Sequence, residues 1–168
     1  MTNEDETAGA EFAAYYAVLI EEQDARKASI EQRGLAVITT SGTLSTLLFG
    51  LVAVVTKATD LELPTVARIP LGVAIIAFVL AAVLALLTNI PRKYVNVVVG
   101  DPDDDLWPHW EDSRNKALKR ITATRAKAVS SAQAVNGEKA KLLFRAMIAE
   151  VIAVVAVAVA VIVILMEL

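Results

Sequence analysis

Glu150 is the only ionisable residue between Arg145 and Glu167, a stretch otherwise built from Ala, Val, Ile, Leu and Met. If this stretch is a membrane helix entered at Arg145, Glu150 lies about 7–8 Å inside it by helical rise. An ionisable group at membrane depth is costly and by default marks a functional site. The partners expected for it are Arg33 and Thr40, at the inner end of a second uncharged run. Arg145 is five residues away, points elsewhere and is expected to snorkel. Two roles fit Glu150: a structural salt bridge or hydrogen bond, and a gate or ion path. A second candidate is a polar stripe, Thr39, Thr43, Thr46 and Gly50, with Ser41, Gly42 and Ser45 nearby. Spacings of four, three and four put the first four on one helical face. Such a face either packs against another helix, where small residues allow close approach, or lines a water-filled pore in an oligomer. An uncharged Thr lining gives little charge selectivity.

The remaining candidates lie in the polar segments. Trp107 and Trp110 flank Pro108 and His109, and either close the tip of a helical structure or dock a partner. Asp101, Asp103, Asp105 and Asp112 have the spacing of a calcium loop, but Leu106 stands where that loop needs Gly and Asp112 where it needs Glu. The reading preferred is an acidic turn that caps the next helix. The basic run 114–127, RNKALKRITATRAK, has a ready counter-charge in Glu21, Glu22, Asp24 and Glu31. Helix pairing is therefore expected there, and no nucleic-acid partner.

Composition narrows the chemistry. The 168 residues contain no cysteine and one histidine, which excludes thiol catalysis, cysteine-ligated metals and a multi-histidine metal site. There is no phosphate loop, nucleotide fingerprint or Ser-His-Asp set. No metal or other cofactor is expected, and an enzyme is not expected. The 56% apolar content exceeds that of an ordinary soluble domain, and its distribution matters more than its size.

The apolar residues fall in three runs. Residues 34–56 and 69–90 carry no charge, and 145–166 is nearly all apolar beyond Glu150. Each reaches the roughly 20 residues that cross a ~30 Å hydrocarbon core. These are predicted as three transmembrane helices. A short external loop is expected at 57–68 and an external tail at 167–168. The first seven residues, MTNEDET, lack the basic start of a cleavable signal, so the first span is expected to direct insertion. Of sixteen Lys and Arg residues, ten lie between Arg92 and Lys141, and three precede the first span. The positive-inside rule then puts the N-terminus in and the C-terminus out, in a multi-pass membrane protein.

Two spans are expected to extend into the cytoplasm as a helical stalk. Residues 1–33 are rich in good helix formers and lead straight into the first span, predicting one helix from about residue 8 to 57. Phe12, Tyr16, Leu19 and Ile30 form its stripe, interrupted by Gln23 and Arg26. Residues 108–144 supply the second stalk helix. Its seam, Leu118, Ile121, Arg125, Ala128, Ala132, Val135, Lys139 and Leu142, has heptad spacing. Asn136-Gly137 is a candidate kink. Residues 91–107, with the β-branched core YVNVVV, are expected to form an extended strap and acidic turn beside the helices. The fold class expected is an all-α integral membrane protein with three spans, a cytoplasmic helical stalk and that strap.

The run 25–57, ARKASIEQRGLAVITTSGTLSTLLFGLVAVVTK, resembles a group of small actinobacterial-type membrane proteins. These are similar to the transmembrane effectors of cyclic-nucleotide-triggered antiphage defence, the Pycsar family. The likeness rests on Gln32-Arg33, Ala36-Val37, Thr39, Thr43, Gly42 and Gly50, and on Leu87-Thr88-Asn89-Ile90-Pro91 leading to Tyr94-Val95. These motifs are architectural and not catalytic. The resemblance implies a homo-oligomer in the lipid bilayer of the bacterial inner (plasma) membrane that permeabilises it or forms a pore when its stalk is triggered by a cytoplasmic protein or a nucleotide signal. The alternative is a non-conducting anchor that docks a cytoplasmic partner through the stalk.

Overall fold

A computed structural model describes residues 8–58, 65–92, 94 and 113–167. Among the described residues there are three helices and no strand: α1 (Ala8–Ala58), α2 (Thr65–Asn89) and α3 (Arg114–Glu167). The long first helix is the one expected from about residue 8 to 57. Ser113 precedes α3, and its carbonyl accepts hydrogen bonds from Lys116 N and Ala117 N. The helix then runs without interruption through Asn136-Gly137, the candidate kink. α2 ends ahead of Pro91, which cannot continue a helix. Its last turn is closed by Thr88 Oγ1 and Asn89 Nδ2, both donating to Ala85 O. Pro91, Arg92 and Tyr94 are non-helical. The rest of the expected strap, the acidic turn, Trp107, Trp110 and His109 lie outside the described residues.

The chain divides into two compact units. The first comprises Met1–Ser29 and Pro91–Glu138, and the second Ile30–Ile90 and Lys139–Leu168. α1 and α3 contribute residues to both.

In the first unit α1 and α3 pair in parallel. Arg125 Nη1 donates to Ala13 O, and Asn136 Nδ2 donates to Gln23 O, so the partner number rises along both helices together. The α1 seam is Ala13, Tyr16, Ile20, Gln23 and Lys27, all buried or half-buried. The α3 seam is Leu118, Thr122, Arg125, Val129, Ala132 and Asn136. Both have the alternating three- and four-residue steps of a heptad, as expected. Half of each expected seam is corrected by one residue. Phe12 is 59% exposed, whereas Ala13 is buried. Val129 and Asn136 are buried where Ala128 and Val135 were expected, and Ile121 is exposed. The cause is common to both helices. The groove between closely packed helices accepts small and polar side chains, so choosing the more apolar neighbour shifts the stripe.

In the second unit all three helices take part. α2 buries Ala67, Leu71, Ala74, Phe78, Ala81, Ala85 and Thr88, again with steps of four and three. α3 buries Leu143, Ala146, Ala149, Ala153 and Ala160. α1 buries Ile30, Gly34, Val37, Ser41 and Leu48. Gly34 sits against α2, where an added Cβ would meet Thr88 Oγ1 at 2.5 Å and Asn89 Nδ2 at 2.9 Å. Only a residue without a side chain fits that approach. The inside of this unit is thus largely alanine, while Ile69, Ile76, Val151, Ile162 and Leu165 are exposed. A bundle folding in water does the reverse, because burying the larger apolar side chains yields the greater hydrophobic gain. Two helices, α2 and α3, are long and apolar enough to cross a membrane.

Candidate functional site

The first unit holds a polar cluster at its seam. Asn136 is fully buried. Its amide nitrogen donates to Gln23 O at 3.0 Å and to Gln23 Oε1 at 3.3 Å, and its carbonyl accepts from the Tyr94 hydroxyl at 3.4 Å. Lys27 places its ammonium 4.8 Å from the centre of the Tyr94 ring, a cation–π contact. Arg92 pairs with Glu138. The stem of Lys27 can therefore pack in the seam while its charge is balanced by the aromatic face. Elsewhere in this unit a cleft of about 490 Å³ is lined by Gly9, Phe12, Tyr16, Leu118, Lys119 and neighbouring residues.

The second unit holds two polar contacts. Lys139 is fully buried and its Nζ donates to Glu31 Oε1 at 2.7 Å. A buried ammonium needs such a partner, because leaving it unpaired costs several kcal/mol. The second contact is at Glu150. Ser41 lies in the same layer, since Val37 clusters with Ala149 and Leu44 with Ala153. Ser41 is 1% exposed, and neither its Oγ nor Glu150 Oε1 completes a hydrogen bond.

The expected partners of Glu150 are not the ones beside it. Thr40 is exposed, and its hydroxyl donates to Ala36 O at 2.8 Å. Arg33 is exposed and lies eight residues before Ser41, about 12 Å along the helix. Seven-residue steps bring Ser41 onto the face that meets α3; Thr40 lies one position off it. Arg145 is exposed, in keeping with its expected outward direction.

Thr39, Thr43, Thr46 and Gly50 lie together on an exposed face of α1. Thr39 and Thr46 donate to the carbonyl four residues back, at 3.0 and 2.9 Å. Each thereby satisfies its own donor within the helix. An added Cβ at Gly42 or Gly50 meets nothing within 4 Å. These residues do not pack against α2 or α3, so the stripe is surface in one copy of the chain.

Gln23, Ser41, Asn136 and Lys139 were not singled out as site residues from sequence. The signal that would have found them is phase. Each is a polar residue falling on a seven-residue seam, where a satisfied partner or a special role is required. The chain matches no family model, no curated protein and no solved structure.

Proposed function

We propose that this chain is an oligomeric protein of the bacterial inner membrane that permeabilises the bilayer, or forms a pore, when its cytoplasmic helices are triggered. Residues 34–56 of α1 act as a third span beside α2 and the last part of α3. The N-terminus and the basic 91–141 segment are cytoplasmic, and the C-terminus is outside. The observation that carries this reading is the pairing of two exposed surfaces in the second unit. Large apolar side chains cover α2 and α3, and a Thr-Gly face on α1 remains uncovered. Lipid solvates the first surface. Copies of the chain meet around the second, where small residues permit close approach. Thr39, Thr43, Thr46 and Gly50 then line the shared axis. The resemblance to antiphage effectors supplies the setting, a membrane damaged on a cytoplasmic cue.

Dye-loaded liposomes carrying the full chain test this reading. They should leak, and Thr43→Leu and Thr46→Leu should suppress the leak without lowering insertion. Overexpression should be toxic, and the same variants should relieve it. Liposomes that stay tight in every oligomeric state of the chain overturn the proposal.

A second reading is a membrane anchor that docks a cytoplasmic partner and conducts nothing. The exposed Phe12, Tyr15 and Val18 near the start of α1 favour it, since aromatic residues are enriched at interfaces. It requires tight liposomes together with a partner whose binding is lost in Phe12→Ala.

A further inference from the structure

The structure leaves Ser41 Oγ and Glu150 Oε1 buried and without hydrogen bonds, in one layer of the second unit: Val37 clusters with Ala149 and Leu44 with Ala153. No other ionisable residue occurs between Arg33 and Lys57 on α1, between Arg68 and Asn89 on α2, or between Arg145 and Glu167 on α3. The α2 side chains that share clusters with Ala149 and Ala153 are Ala77, Phe78, Ala81 and Ala85, all apolar. The charged pair Glu31–Lys139 lies eleven residues down α3, about 16 Å away along the axis, and is satisfied within itself. Among the described residues, Glu150 therefore has no cation at hand. Glu150 is half-buried with Oε1 enclosed, and on the membrane-spanning reading its exposed part meets lipid, so an ionised carboxylate there is unfavourable. A neutral acid has a donor of its own. It can donate to Ser41 Oγ, and the Ser41 hydroxyl proton can go to the carbonyl four residues back, as Thr39 and Thr40 do.

We propose that Ser41 and Glu150 form an intramembrane proton-binding site, in which the Glu150 carboxyl carries a proton and donates it to Ser41 Oγ. When water reaches the site, the carboxyl O–H bond breaks, the proton passes to water and a carboxylate remains. The two states differ by a full charge at one layer of the bundle. The layer can thus hold the three helices together when protonated and part them when water enters. This rests on the membrane-spanning reading of α1 and α3, and not on whether the assembly conducts.

The test is labelling of the full chain in liposomes with dicyclohexylcarbodiimide, an apolar reagent to which a protonated carboxyl adds across the N=C=N group. Mass spectrometry should find one adduct, on Glu150, with the exposed Glu21 and Glu22 unlabelled. Labelling should fall as pH is raised, because only the protonated acid adds to the reagent. Glu150→Gln should abolish the adduct. Ser41→Ala should shift the pH at which labelling is lost, while Thr46→Ala should leave that pH unchanged. Absence of an adduct on a chain shown by flotation and alkaline extraction to be inserted overturns the site and leaves the membrane reading standing. Labelling that does not respond to pH, or that Ser41→Ala leaves as in the parent, also overturns it. Protection by sodium at constant pH would overturn the proton in favour of a metal cation.

Discussion

The two units use the same heptad spacing to opposite ends. The seam of the first carries Gln23, Lys27, Arg125 and Asn136, each given a partner by a backbone carbonyl, a side chain or an aromatic ring. The seam of the second is alanine for long stretches, broken by the Glu31–Lys139 pair, by Gly34 and by the Ser41–Glu150 layer. The difference separates two jobs that a seam performs. Polar layers fix which residue faces which, because a shifted register leaves buried donors and acceptors unpaired. Small residues fix how near the backbones come, because nothing else fits. The first unit relies on the former and the second on the latter.

The sharpest way to break this division is at the pair Glu31–Lys139, where a polar layer sits within the alanine-rich unit. Glu31→Ala strands a buried ammonium and should cost about 3–5 kcal/mol. Adding Lys139→Met should recover most of that loss. Unfolding of helical signal in mixed micelles measures both. Next is Gly34→Leu, which forces a side chain into Thr88 and Asn89 and should cost about 3 kcal/mol, the upper end for overpacking. If the unit tolerates it without loss, distance is not what its small residues set. Asn136→Ala should cost about 2 kcal/mol, since Gln23 Oε1 and the Tyr94 hydroxyl each lose a partner. The paired change Gln23→Leu with Asn136→Leu should restore stability but blur register. Cysteine cross-linking would then capture more than one α1–α3 alignment. The smallest effect is expected on the uncovered face of α1. Thr39→Val should alter the stability of one copy by about 0.5 kcal/mol or less, because the residue is exposed and its hydroxyl bonds within its own helix.

Much of the fold was legible before any coordinates. Uncharged runs, the helix formers of residues 10–33 and the Pro91 stop account for three helices and for the long reach of α1. The heptad spacing of α3 was legible as well, at Leu118, Arg125, Ala132 and Lys139. The other half of the seam was not, for a physical reason. Hydrophobicity ranks Ile121 above Thr122 and Val135 above Asn136, yet a seam between parallel helices is chosen by close approach and by paired polar groups. Glu150 stood out because a lone acid in an apolar run is conspicuous. Its neighbour Ser41 did not, because a serine among Thr, Ser and Gly carries no contrast. Only the phase counted up from Ala13 through Gln23 and Ile30 separates Ser41, which faces inward, from Thr39 and Thr40, which do not.

The seven-residue step also makes length a quantised property of this chain. Deleting one residue between Ala13 and Gln23 rotates everything beyond it by about 100° relative to its partner helix, as follows from 3.6 residues per turn. The inward residues of α1 would then be different ones. Deleting seven keeps the inward set but slides it by about 10 Å, so that Gln23 no longer meets Asn136. Only matched removal of seven from α1 and seven from α3 preserves both the faces and the pairs. Natural or engineered variants of different length should therefore come in double steps of seven, and a chain that gains or loses any other number must carry a compensating irregularity in the partner helix.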